Sequence, residues 1–222
     1  MIAALCGVGF LALMDAFMKD AALAAGAYSA TVLRSLIAAA VITPVWVAAR
    51  GRWPARSVLK LHLARGIISG FMALAFFYAL TKLPIAEAIA ISFIAPLIAL
   101  YLAAVFLGET IRRAAIAASA LGLAGTVVIV GARLGSAQYT GETALGLAAL
   151  VFSALLYAGN FIVIRKQALV SSPLEATVFH SGVAGGVLLL FAPWFFAMPE
   201  RQVFGDIAAA SALTLCGSLA IT

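Results

Sequence analysis

Apolar runs of membrane-crossing length follow one another along almost the whole chain, and no other feature restricts its fold as strongly. Seven complete runs occupy residues 2–19, 28–49, 63–81, 85–107, 114–132, 144–164 and 177–197. Helices of about 17–25 apolar residues span a hydrocarbon core about 30 Å thick, where the segment itself must satisfy its backbone polar groups. An eighth run begins near residue 207 and is still apolar at Thr222. At a rise of about 1.5 Å per residue this last stretch reaches only about 24 Å, so the chain is expected to be truncated within its eighth helix. Composition agrees, at 65% hydrophobic and 10% charged, against roughly half and a quarter in soluble domains. The expected fold class is all-α, a polytopic bundle of membrane helices.

A net charge of +6 would suggest nucleic acid in a soluble protein. Here the basic residues fall in short connections between apolar runs, where they set orientation in the bilayer instead. With the N-terminus cytoplasmic, the inner connections hold Arg50, Arg52, Arg56, Lys60, Arg65, Arg112, Arg113, Arg165 and Lys166. The outer ones hold Lys19, Lys82, Arg133 and Arg201, and Arg34 lies inside a span. Nine against four predicts an inner-membrane protein with its N-terminus inside. Cys6 and Cys216 lie within apolar runs without redox or zinc spacing, so no cofactor is expected. No basic region precedes the first run, which reads as a retained span rather than a leader.

The chain carries an internal repeat. Ser29-Ala-Thr-Val-Leu-Arg-Ser35 recurs as Glu175-Ala-Thr-Val-Phe-His-Ser181, offset by 146 residues. The same offset pairs Lys19 with Arg165 and aligns 207–222 with 61–76. A five-span unit has an odd number of crossings, so its second copy enters the membrane inverted, an architecture used by transporters. The expected organisation is a first repeat over 1–133 and an incomplete second over 143–222, with about eight of ten helices present. If the copies match in length, roughly 55–65 further residues are expected.

Residues 74–109 form a hairpin of two apolar helices turning at Leu83-Pro84. Phe77-Tyr78-Ala79-Leu80, Pro84, Ala86-Glu87-Ala88, Phe93, Ala95-Pro96-Leu97 and Leu107-Gly108-Glu109, with Arg34 and Gly122–Gly125, resemble the EamA-like branch of the drug/metabolite transporter superfamily. The resemblance covers essentially the whole chain. It implies ten helices in two inverted five-helix repeats, both termini cytoplasmic, and a central cavity between the halves. Members move small metabolites, amino acids, nucleotide derivatives or drugs, and the motif says little about which.

Ionisable groups inside spans are functional candidates because the bilayer makes them expensive. Asp15, Lys19, Arg34 and Glu87 are expected at one depth near the outer side, a vestibule of both charge signs suited to a zwitterionic or polar metabolite. Asp15 and Lys19, four residues apart, share a helix face and can pair. Lys19 reads more readily as an interfacial, snorkelling residue. A proton is a candidate coupling ion, and Asp15 and Glu87 are the in-span carboxylates that could bind it. Replacing Glu87 by Gln is expected to abolish pH-driven uptake. Toward the inner side, Asn160 and His180 are further candidate substrate contacts, and Tyr78 can present a ring to a cavity. Pro96 removes a helical hydrogen bond near Ser92 and is a candidate gating position. The pairs Gly66/Gly70 and Gly182/Gly186 have the spacing of close helix packing within the chain.

These features point to a secondary transporter working by alternating access on an amino acid, nucleoside derivative, vitamin or drug-like compound. It would work as a monomer or homodimer in the lipid bilayer, without nucleic acid. An intramembrane enzyme is the alternative, together with a channel or non-transporting subunit. No phosphate-binding GxxxxGK[ST] or metal-binding HExxH occurs. His180 and Ser181 are adjacent and diverge by about 100° on a helix, so they form no dyad. No polar stripe marks a channel wall.

Overall fold

The computed structural model describes residues 2–92, 94–107, 113–134 and 140–221. Among them every regular element is a helix. These are α1 (Ile2–Ala25), α2 (Ala27–Ala48), α3 (Arg56–Lys82), α4 (Ile85–Ser92), α5 (Ile94–Leu107), α6 (Arg113–Leu134), α7 (Gly141–Ala168), α8 (Pro173–Leu189), α9 (Ala192–Phe195) and α10 (Arg201–Ile221). The all-α class expected from the apolar runs is the class found. Phe93, Gly108, Glu109 and Arg112 lie outside the described residues.

Short-range chemistry fixes several helix ends. Gly26 alone joins α1 to α2 with φ 82°, a left-handed conformation that a side chain would strain. Ser172 caps α8 by accepting from the Glu175 backbone N–H at 3.2 Å, and Pro173 opens that helix at no hydrogen-bond cost. Thr140 caps α7 in the same way, accepting from Thr143 N–H at 3.3 Å. Leu83 is extended before Pro84, as a residue preceding proline favours, and this ends α3.

Several predicted spans have different limits. The run at 63–81 belongs to a longer helix beginning at Arg56, which takes Arg65 out of a connection and into α3. The run at 177–197 is not one helix. α8 stops at Leu189, and the single turn α9, with Pro193 as its second residue, leads into extended backbone at Phe196. α10 starts at Arg201, six residues before the apolar run, and its 21 residues reach about 32 Å. The run at 85–107 is described as α4 and α5 on either side of residue 93. Among the described residues, Ala27–Ala48, Arg56–Lys82, Ile85–Leu102 and Gly141–Ala168 are long and apolar enough to cross a membrane.

The most extensive packing joins α1 to α10, α3 to α7, and α2 to α8, with α3 also against α8. Small residues permit it. A methyl group on Gly66 would lie 2.4 Å from Val183 Cβ, and one on Gly70 would lie 3.3 Å from the Ala184 carbonyl oxygen, so α3 and α8 are nearly in backbone contact. Gly182 and Gly186, by contrast, have nothing within 4 Å; on α8 it is Gly185 that packs, against Leu36. Met18, Leu80, Leu150 and Ile207 meet in an apolar cluster contributed by α1, α3, α7 and α10. Leu121, Val128, Leu169 and Trp194 are among large apolar side chains left outward, as a lipid-facing surface requires.

Candidate functional site: a polar cavity among the packed helices

A cavity of about 510 Å³ lies where α1, α2 and α3 meet α7, α8 and α10, with α4 and α5 on one flank. Two helix faces form its long walls. On α3, Arg65, Ser69, Met72, Phe76 and neighbours recur at helical spacing over about 18 Å. On α7, Ser153, Tyr157, Asn160 and Ile164 do the same. Two hydrogen bonds hold these walls together. Ser153 Oγ donates to the Met72 carbonyl at 2.8 Å, and Asn160 Nδ2 donates to Ser69 Oγ at 2.9 Å. Such interhelical bonds contribute about 1 kcal/mol each in a membrane.

The cavity brings together Asp15, Arg34, Pro96, Asn160 and His180. Arg34 is 8% exposed. Its Nη1 donates to Thr214 Oγ1 at 3.2 Å, and its guanidinium carbon lies 5.4 Å from the centre of the Phe77 ring. Ser211 Oγ donates to the Arg34 carbonyl at 3.1 Å, which fixes α2 against α10. Asp15 faces the same space and supplies the opposite charge within electrostatic reach of Arg34. Pro96 is the third residue of α5, and beside it Ser92 Oγ donates back to the Ala88 carbonyl at 2.8 Å.

Tyr78, Glu87 and Lys19 are placed elsewhere. Tyr78 lines a second cavity of about 610 Å³ that is almost wholly apolar and includes Tyr28, Phe71, Phe152 and Phe195. Glu87 sits half-buried in the first turn of α4, outside the lining of the polar cavity. Lys19 Nζ donates to the Leu83 carbonyl at 3.0 Å, tying α1 to the end of α3. The predicted vestibule of four charges at one depth is therefore divided between two environments.

Arg65 is the main cavity residue that the sequence reading missed. Counting it among loop cations hid its place on the face shared with Ser69, Met72 and Phe76, and that spacing was the available signal. Arg65 Nη1 donates to Gln167 Oε1. Gln167 in turn contacts His62 Nδ1, and His62 Nε2 lies 2.8 Å from Glu175 Oε1. The His62 ring is fully buried and stacks on Phe179 at 4.6 Å between centres. This four-residue chain ties α3, α7 and α8 together at one end of the cavity, and the Met18–Leu80–Leu150–Ile207 cluster lies beyond its other end. Among the described residues no cluster of His, Cys, Asp or Glu has metal-binding geometry.

The comparisons with known proteins agree with this architecture. The pattern of the EamA-like transporter family matches residues 1–131. The aromatic amino acid exporter YddG of Ancylobacter novellus is 34% identical over 111 residues, covering 49% of this chain and 39% of that exporter. The pseudopaline exporter CntI of Pseudomonas aeruginosa is 25% identical over 210 residues, covering 94% of this chain and 72% of that protein. A solved crystal structure aligns with 99% of this chain and 77% of its own, with a TM-score of 0.68 and 25% identity. With more than half of its length matched by the family pattern, this multi-pass membrane protein belongs to the EamA-like transporter family.

Proposed function

We propose that the protein is a secondary transporter that exports a small polar or amphiphilic metabolite across the cytoplasmic membrane by alternating access. The observation that carries this reading is the polar cavity itself. Asp15, Arg34, Arg65, Asn160 and His180 converge from α1, α2, α3, α7 and α8 inside a bundle whose exterior is apolar. Charged groups in such a position are expensive unless they serve a solute or ion pathway. Export is the direction named for both YddG and CntI.

The two-repeat organisation, 1–133 and 143–222, supplies the moving parts. α2 and α8 begin at Ala27 and Pro173, 146 residues apart, the offset of the sequence repeat. Exchanging the copies maps the α1–α10 contact onto α3–α7 and leaves α2–α8 unchanged, which is the pattern of a pseudo-twofold axis. Rocking about that axis would break the Arg65–Gln167–His62–Glu175 chain in one state and part the apolar cluster in the other. Pro96, on the cavity wall, is the proposed hinge. Of the two candidate proton carriers, Asp15 is the one that faces the cavity. With Arg65 assigned to α3, the remaining inner basic residues still outnumber the outer ones, which favours a cytoplasmic N-terminus.

The test is counterflow in proteoliposomes, with amino acids, nucleosides and cationic drugs as trial solutes. Saturable exchange of one class is the expected result. Current that rises with voltage without saturating would assign a channel instead.

A further inference from the structure

Within the cavity, Arg34 and Arg65 present the same half-used pattern of donors. Each guanidinium is anchored through Nη1, to Thr214 Oγ1 in one case and to Gln167 Oε1 in the other. In each, the buried Nε has no hydrogen-bond partner among the described residues. Nε–H and the adjoining Nη2 form the side edge of an arginine, the fork that matches the two oxygens of a carboxylate. Both guanidinium groups are thus held in place by other contacts, with the Nε–H of that edge left without a protein partner among the described residues. Two acceptors line the same cavity: Asn160, whose Oδ1 is buried without a partner, and the Asp15 carboxylate. His180 Nδ1, also unpartnered, lies within electrostatic reach of both arginines.

We infer that the cargo is an amphoteric dicarboxylate, an amine-bearing molecule whose two carboxylates engage the side edges of Arg34 and Arg65 while its ammonium lies against Asp15. The inference rests on the transport reading of this cavity. Arg34 and Asp15, which attract one another, receive the amino-acid end; Arg65, toward the far end of the α3 wall, takes the second carboxylate. Charge decides between carboxylates and phosphates as the anions. Two guanidinium groups and one carboxylate leave the cavity at +1, which a cargo with two carboxylates and one ammonium neutralises. A bisphosphate would leave buried negative charge unpaired, at a large desolvation penalty. Phe76, Phe77 and Tyr157 cover the remaining wall and accept an apolar or aromatic linker. The volume of about 510 Å³ lies within the usual range for small-molecule sites.

The experiment compares labelled N-benzyliminodiacetate, with two carboxylates and an amine, against labelled N-benzylglycine, which has one carboxylate. Each is measured by counterflow in vesicles of the full-length protein. Half-saturation at least tenfold lower for the dicarboxylate is expected. Arg65→Lys keeps the charge and loses the fork, so the ratio should fall to about threefold or less. Equal half-saturation of the two probes, or an unaltered ratio in Arg65→Lys, overturns the inference and leaves the transport reading intact. If neither probe moves, the inference is overturned, and neutral or cationic solutes in the same vesicles decide whether the transport reading survives. The wild-type ratio remains decisive if Arg65→Lys does not fold.

Discussion

Arg34 and Arg65 differ by sequence position alone in how readable they were. Arg34 has apolar neighbours on both sides, so its presence inside a span is evident. Arg65 lies near Arg56 and Lys60, and charge density made it look like part of a connection. In the structure both are helical and face one cavity. Glu87 differs in the opposite sense: it is conspicuous in the sequence, yet it occupies the first turn of α4, where any helix favours a carboxylate. These placements shift the expected mutant behaviour. Asp15→Asn preserves shape and removes the charge facing the cavity, so it should abolish pH-driven uptake and weaken counterflow of an ammonium-bearing solute at least tenfold. Glu87→Gln should leave that counterflow within about twofold. Counterflow and pH-jump uptake on the same vesicle preparations check both, and a larger effect at Glu87 than at Asp15 would reverse the assignment. The magnitude follows from removing a charge-assisted contact, about 1.5–3 kcal/mol.

At the scale of elements, hydropathy located helices well and their ends poorly. A helix continues beyond hydrocarbon whenever its backbone groups are satisfied, and apolarity does not report on that. Hence α3 begins at Arg56 and α10 at Arg201, both earlier than their apolar runs. The opposite error at 177–197 came from composition, because Leu190, Phe191, Trp194 and Phe195 are apolar whether or not they continue α8. Glycine spacing was equally ambiguous, since the two predicted pairs look alike in sequence and only Gly66/Gly70 meets a neighbouring helix. Gly66→Ala should lower stability by about 1–3 kcal/mol, because its methyl must displace Val183 from a backbone-tight contact. Gly182→Ala should be neutral or slightly stabilising, since it adds helix propensity in open space. Thermal unfolding of the two variants in detergent separates these outcomes.

For the molecule as a whole, the packing can be tested for both orientation and closure. In a background lacking Cys6 and Cys216, cysteines at Ser57 and Gly141, both exposed, should react with an impermeant maleimide from opposite sides. The proposed topology places Ser57 inside, so labelling of Ser57→Cys in right-side-out vesicles would contradict it. The Arg65–Gln167–His62–Glu175 chain predicts a second effect. His62→Ala removes the link between α3 and α8 and empties the space against Phe179. A cysteine at Ser69, on the cavity wall, should then become several-fold more reactive from the side on which that chain lies. Unchanged reactivity would mean that the chain does not close the cavity.

The sequence alone determined that this chain is a helical membrane bundle of the EamA-like type, because apolar length and the hairpin motif are local properties that survive without knowledge of neighbours. The expectation of a 146-residue repeat likewise depends only on comparing the chain with itself. The composition of the cavity was decided by tertiary structure. Whether Arg65, Ser69 and Asn160 face a shared space or lipid depends on the rotation of α3 and α7 about their axes, and that rotation is set by glycine contacts and hydrogen bonds between residues some 80 to 90 positions apart. Tyr78 shows the same rule from the other side: its neighbour Phe77 turns inward beneath Arg34, and Tyr78 itself turns toward the apolar groove. One residue step rotates a helical side chain by about 100°, which is enough to separate the polar cavity from the bilayer.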